Sequence, residues 1–419
     1  MATSQSSQSA PATRSSWWGH AFGCACALLL CPPLSRAQAA PLTLDAAITR
    51  ALAANRGLAA ARLVAPVAAA SVEVARERLN PEVTYEAARE TPHQAISASL
   101  PIELGGKRQR RIELAEKSVA SRTAEIDRMV VELRDRVRRG YFALVIANRR
   151  VTLADDLHGL AVRARDAAQA RFTAGEAPRL ETLQAELALV DTENEASATR
   201  GEARAVAAEL NSLLAQPFDT PLGLADDLDS GALPSLETAV ALASRSNADL
   251  RVFERQIAEQ MARRDLARSM QSPDLTAGAS YTYDAEPEFS RGFRASVGIA
   301  VPLFARHTAG VILEAAELAR LTAQREATVI ELSGVVTAAF TRAMSAKEQL
   351  TRSTTESLPL ASEVERMAQD SYRAGQSGLV TLLQAVQFTR DVRRRNLDAG
   401  AEYQRARADL ERAIGAPLP

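Results

Sequence analysis

Thiols, imidazoles and aromatic rings are scarce in this chain. Its 419 residues hold three cysteines, four histidines and two tryptophans, and aromatic side chains make up only 4%. So little soft-ligand material argues against a zinc or other soft-metal site and against a disulfide-stapled fold. Charge of one sign is lacking too. Fifty basic against 51 acidic side chains leave a formal net charge of −1, which removes the broad basic surface that nucleic-acid binding requires. No catalytic constellation stands out: His93, His158 and His307 lie far apart, and none belongs to an i, i+4 ligand pair. Gly105-Gly106-Lys107-Arg108 lacks the spacing of a phosphate loop. The runs Arg149-Arg150 and Arg393-Arg394-Arg395 read as solvated helix faces. With 47% hydrophobic residues the chain is nonetheless far too apolar to be disordered. These exclusions point away from an enzyme, a cofactor protein or a nucleic-acid binder.

What is present begins with a three-part leader. Arg14, an apolar run from Ala21 to Cys31 and the small triplet Ala37-Gln38-Ala39 form the layout of a secretory signal peptide over residues 1–39, with Ala40 the first mature residue. The run of 11 residues is short for a membrane-spanning helix, which needs about 20. An alternative makes Cys31, which ends Leu28-Leu29-Leu30-Cys31, a lipidated cysteine; the bulky Leu30 before it speaks against that reading. Removal of the leader takes away every thiol and both tryptophans.

The remainder repeats itself. Leu44-Asp45-Ala46-Ala47 with Asn55 and Leu58 recurs 192 residues later as Leu236-Glu237-Thr238-Ala239 with Asn247 and Leu250. Phe172-Thr173-Ala174-Gly175 with Leu183-Gln184-Ala185 recurs 200 residues later as Tyr372-Arg373-Ala374-Gly375 with Leu383-Gln384-Ala385. The division this suggests is a first repeat over 40–217, a linker over 218–233 and a second repeat over 234–419. Each repeat contains one very long stretch of helical periodicity, about 107–173 and about 309–374, the second with Pro359 as a kink. At 1.5 Å per residue the first would extend about 100 Å. Such lengths read as antiparallel, coiled-coil-like packing.

Ahead of each long helix the period switches to two. Leu275 to Tyr283 and Phe293 to Val301 alternate apolar with small polar residues, giving a hairpin over about 273–302; a weaker pair occupies about 81–102. Tyr85, Tyr281, Tyr283, Phe289, Phe293 and Phe304 gather in or beside these strands, as in the aromatic girdles of membrane barrels. Four strands cannot close a barrel, and open edges are not tolerated in lipid. Two chains would supply eight strands, whose lumen fills with side chains, whereas three supply twelve and leave a passage. The expectation is therefore a mainly α chain with a small β part, whose four strands join those of two further copies in a homotrimer. Thr276, Gly278, Ser280, Ser296 and Gly298 are the candidates to line that passage.

Signal peptide, duplicated halves, two strands per half and a long helix after each hairpin together resemble the TolC family of outer-membrane efflux proteins, over essentially the whole mature chain. The handover segment Leu100-Pro101-Ile102-Glu103-Leu104-Gly105-Gly106-Lys107-Arg108, with Val301-Pro302-Leu303-Phe304 as its second-half partner, is most similar to the heavy-metal, cobalt-zinc-cadmium branch. The resemblance implies a twelve-stranded trimeric barrel in outer-membrane lipid, continued by a helical tunnel through the periplasm. It further implies passive export of divalent cations together with a periplasmic adaptor and an inner-membrane proton-driven pump, without a cofactor. Drug or protein export is the runner-up within the family, and a periplasmic coiled-coil scaffold the alternative outside it.

The turns at Gly175 and Gly375 resemble the family's periplasmic tip, which implies that Phe172, Leu183, Gly175, Gly375 and Leu383 face the adaptor. The family closes its tunnel there with an acidic residue six positions after the first glycine, bonded to a tyrosine three before the second; those positions hold Glu181 and Tyr372. Where the family prototype has an arginine and two aspartates after the second glycine, this chain has Ser377, Thr381 and Gln384. The constriction set implied is Glu181, Tyr372, Thr381 and Gln384, and any acidic ring would come from three copies of Glu181.

Overall fold

A computed structural model describes residues 41–225, 228, 231–287 and 289–418. The leader and Cys31 lie outside the described residues. The chain runs α1 (Leu44–Ala54), α2 (Arg56–Arg62), α3 (Val64–Arg76), β1 (Glu82–Ala87), β2 (Gln94–Ile102), α4 (Lys107–Thr173) and α5 (Arg179–Leu213). After the linker it repeats the plan: α6 (Leu236–Ser246), α7 (Ala248–Ser269), β3 (Asp274–Ala285), β4 (Phe289–Ala300), α8 (Thr308–Arg352), α9 (Leu358–Arg373) and α10 (Leu379–Ile414). A π-helical turn at Ser353–Ser357 joins α8 to α9, immediately ahead of Pro359. Proline lacks the amide that would continue the ladder, and the wider turn absorbs the break. On its open side Asn396 donates to the hydroxyls of Ser353 and Thr354, at 3.1 and 3.0 Å.

The repeats do the same work with the same residue types. Asn55 accepts the Leu58 amide at 3.1 Å as the N-cap of α2 and donates to the Leu213 carbonyl at 3.2 Å. Asn247 accepts the Leu250 amide at 3.1 Å as the N-cap of α7 and donates to the Ala413 carbonyl at 2.9 Å. One side chain thus starts a short helix and ties it to the end of the repeat's return helix. The first core unites Leu58, Val137, Tyr141, Leu210 and Leu214, and the second Ala239, Ala243, Val336, Leu410 and Ile414. Between the repeats Arg138 of α4 places Nη1 2.7 Å from both carboxylate oxygens of Glu411 on α10. Burial, foremost, holds that guanidinium below its ordinary range, although Glu411 raises it.

The four strands form one antiparallel sheet in sequence order, so β2–β3 pairing welds the repeats and leaves β1 and β4 as edges. Its register sorts the faces. The rows Tyr85–Ile96–Tyr281–Phe293 and Leu100–Ala277–Val297 lie on one side; Thr84–Ser97–Ser280–Arg294 lies on the other. All five small residues named above as lining candidates share that polar side. Phe293 and Val297 are each 75% exposed, and apolar exposure of this density suits lipid.

The elbow from sheet to helix explains the handover segment. Gly105 and Gly106 both adopt left-handed φ, +69° and +72°, and reverse the chain into α4. Lys107, Arg108 and Arg111 then reach back. Arg108 donates to the Arg76 carbonyl and Arg111 to those of Ala75 and Glu77, satisfying groups that the end of α3 leaves unpaired. Arg111 also pairs with Glu103 at 2.6 Å, and Lys107 with Asp274 at the start of β3 at 2.7 Å.

The duplicated caps yield a comparison within one molecule. Asn247 is buried and Asn55 only half-buried, so Asn247→Ala, which strands the Ala413 carbonyl, is expected to destabilise by about 2 kcal/mol against about 1 kcal/mol for Asn55→Ala. Thermal unfolding followed by far-ultraviolet circular dichroism should show the larger drop in midpoint for Asn247→Ala; equal drops would contradict the assigned roles.

Candidate functional site at the helical tip

Both helical hairpins reverse by the same backbone device. After α4 the Gly175 amide donates to the Phe172 carbonyl and the Glu176 amide to that of Arg171; after α9 the Gly375 amide donates to Tyr372 and the Gln376 amide to Ser371. Gly175 and Gly375 sit at φ +76° and +69°, where a side chain would be strained although space is open around them.

The two turns differ in what they carry. Arg171, in the last turn of α4, places Nη1 3.0 Å from Oε1 of Glu181, in the first turn of α5. The same guanidinium lies 5.3 Å from the ring centre of Tyr372 on α9, within cation–π range. Glu181 is 8% exposed and Tyr372 3%. Tyr372 rests on the small residues Ala164, Ala168 and Ala185, with Leu379 and Leu382 beside it and Leu383 partly buried against the same cluster. Alanine at these contacts lets the helices come close enough for one tyrosine to fill the gap. Burial, foremost, pushes the Tyr372 phenol above its usual 10.0; the Glu181 carboxylate adds to this and Arg171 opposes it. The hydroxyl lies beside the ion pair without completing a hydrogen bond.

The residues named from sequence therefore separate into two groups. Glu181 and Tyr372 come together, in the same protomer. Thr381 and Gln384 stay exposed on α10 and join neither. Phe172 and Leu183 remain 39% and 49% exposed, so the tip presents apolar side chains outward. Sequence reasoning passed over Arg171. Its signal was the repeat itself: at the spacing of 200, Arg171 and Glu181 correspond to Ser371 and Thr381, while buried Tyr372 corresponds to exposed Phe172. The first turn supplies the ion pair and the second supplies the ring. Among the described residues no group of three or more His, Cys, Asp or Glu converges on a place that would hold a metal ion.

Two further seams are exposed. Leu180, Leu187 and Val190 with Leu183 recur along α5 at spacings of three and four, and Leu360, Val364 and Met367 do so along α9. Exposed apolar ladders of this period are the knobs of a coiled coil lacking its partner. Higher up, α3 exposes Val64, Val67 and Val74, and α8 exposes Ile312, Leu313 and Ile330. The stretch Arg56–Arg76, across α2 and α3, is apolar and long enough to cross a membrane by composition. It is interrupted at Leu63 and packs on α4.

Comparison with known proteins agrees with this architecture. The profile of a family described as outer membrane efflux protein matches residues 47–216 and 239–416, one block in each repeat. The cobalt-zinc-cadmium resistance protein CzcC of Cupriavidus metallidurans is 31% identical over 288 residues, a match spanning 65% of either chain. Among solved structures, CusC superposes with a TM-score of 0.74 at 16% identity, covering 90% of this chain and 93% of that one. The open-state MtrE channel of Neisseria gonorrhoeae gives 0.72 at 17%, covering 90% and 89%. With both repeats matched by one profile and the fold shared along nearly its full length, the chain belongs to the outer membrane efflux protein family.

Proposed function

We propose that the protein is the outer-membrane channel of a three-part efflux system, a passive conduit built from three copies, with divalent heavy-metal cations as its cargo. The observation that carries this reading is the set of unpartnered edges. The sheet ends in β1 and β4, the upper helices end in the exposed apolar faces of α3 and α8, and the lower ones end in the ladders on α5 and α9. Each pair is alike in kind, strand edge with strand edge and apolar face with apolar face, and in this reading a neighbouring copy docked on one pair meets all three. Three copies give twelve strands and a passage. The metal cargo rests on the kinship with CzcC and on the Leu100–Arg108 segment. An inner-membrane proton-driven pump supplies the work, and a periplasmic adaptor meets the tip through Phe172, Leu183 and their neighbours.

In this reading Arg171, Glu181 and Tyr372 form the latch of the tip. The ion pair is closed within the protomer, so the Glu181 carboxylate is neutralised in place rather than offered to the passage. Release of the pair frees α5 and α9 to separate, because the ring of Tyr372 is held partly by the guanidinium over it.

Two measurements test these statements. Deletion of the gene should sensitise cells to a subset of cobalt, zinc, cadmium, nickel, copper and silver salts, with resistance restored by a plasmid copy. Sensitivity to dyes, bile salts or antibiotics alone would overturn the metal cargo and leave the channel standing. For the latch, Arg171→Ala leaves Glu181 partly buried without its cation. Amide exchange across 170–185 should then quicken about tenfold, equivalent to about 1.4 kcal/mol, with a rise in single-channel conductance. Tyr372→Phe keeps the ring and should change both far less. Unchanged exchange and conductance in Arg171→Ala would remove the latch.

A further inference from the structure

We infer that Arg294 forms a ring of three guanidinium groups in the barrel lumen and sets the charge selectivity of the channel; the inference rests on the trimeric reading above. The register fixes its place. Arg294 shares the row Thr84–Ser97–Ser280–Arg294 on the polar face, opposite the face that carries Tyr281, Phe293 and Val297. It is exposed and makes no ion pair among the described residues. Two rows to either side, that face offers only glycine, alanine, serine and threonine, apart from Glu82 and Glu86 on β1. Asp274, at the periplasmic end of β3, is already paired with Lys107. Among the described residues of these three rows, Arg294 is thus the one long cationic side chain, with short neutral neighbours on β2, β3 and β4 and two carboxylates on β1.

The dimensions make that position consequential. Twelve strands about 4.8 Å apart and tilted about 45° close at a backbone radius of roughly 13 Å. An extended arginine reaches roughly 7 Å inward, so three charges come within about 6 Å of the axis, less than the screening length of about 8 Å at physiological salt. No point of the opening at that level escapes their field. Taken alone, three unit charges at such a distance in water, screened, lower the local cation concentration roughly fivefold, and the carboxylates of the adjacent rows offset part of this. Glu82 and Glu86 lie two residues along the strand to either side of this row, about 7 Å away, so Arg294 is the group that holds down the cation preference these carboxylates would otherwise give the lumen.

The test uses the purified full chain in planar bilayers under a potassium chloride gradient. Wild type, Arg294→Lys, Arg294→Ser and Arg294→Glu are compared by reversal potential at low and high salt. The serine variant is expected to raise the potassium-to-chloride permeability ratio about threefold to fivefold, the glutamate variant to raise it further, and the lysine variant to leave it near wild type. All differences should shrink at high salt. Because the chain has no cysteine after residue 31, Arg294→Cys in the mature protein is a sole thiol. A water-soluble positive thiosulfonate should restore wild-type selectivity and a negative one should reverse it. Reversal potentials that do not move in the serine and glutamate variants, with trimers intact, would overturn the inference. So would a thiol that reacts only with lipid-soluble reagents. A wild-type chain that forms neither trimer nor channel would instead overturn the reading on which it rests, a result recognisable before any variant is made.

Discussion

A sheet of four strands has two edges, and in hydrocarbon an unpaired backbone amide or carbonyl costs several kcal/mol. The rest of this molecule follows from that constraint. A chain whose sheet runs β1-β2-β3-β4 with an apolar face toward lipid must find β partners outside itself. The elbows at the base of the sheet then transmit the requirement downward. Arg108 and Arg111 bind the end of α3, and Lys107 binds the start of β3. The positions of the edge strands thereby fix those of the helices beneath them. If β4 meets β1 of another copy, α8 is carried to the neighbour's α3, and their exposed apolar faces cover one another. The membrane requirement and the helix-packing requirement are met by a single rotation, which is why assembly of such a chain is closed rather than open-ended.

Duplication supplies the symmetry, and the tip departs from it. Positions that hold the fold retained their residue type in both halves, as the two asparagine caps show. Positions at the tip did not. A symmetric pair of turns with an arginine–glutamate pair in each would give two equivalent latches. The second turn has Ser371 and Thr381 at those positions and a tyrosine where the first has Phe172, so the ion pair belongs to one half and the ring beneath its guanidinium to the other. An ion pair of this kind is a sensible holder because a partly buried pair loses most of its worth once water reaches it. Small displacements of α5 against the end of α4 thus have a large effect on its strength.

Much of the architecture was legible in the sequence because it rests on periodicity. The breaker-free stretch from Lys107 coincides with α4, and alternation placed both hairpins. The sorting of Thr276, Gly278 and Ser280 to one face follows from the period of two alone. The π-helical turn before Pro359 was visible only as a kink, since proline marks where a ladder breaks and not how the break is absorbed. The tip was half legible. Glu181 and Tyr372 stood out by their relation to the two glycines, whereas Arg171 is one arginine among many until the turn brings it across ten residues of sequence onto Glu181. Burial was the hidden variable. A carboxylate in the first turn of a helix is ordinarily solvated, and only the alanine-lined contact among α4, α5 and α9 encloses this one.

A conduit that carries ions must hold them weakly. Entry requires some attraction, but a site that bound a divalent cation tightly would empty slowly and become the bottleneck. The polar face of the sheet has the composition this demands: hydroxyls and bare backbone, with carboxylates set apart on one strand rather than gathered. Selection among metals needs the opposite chemistry, several ligands at fixed distances around one ion. The two demands cannot be met by the same wall. On the proposed reading the discriminating step belongs upstream, where energy is available to release what has been tightly bound, and the channel is left to govern access through its tip and charge through its lumen.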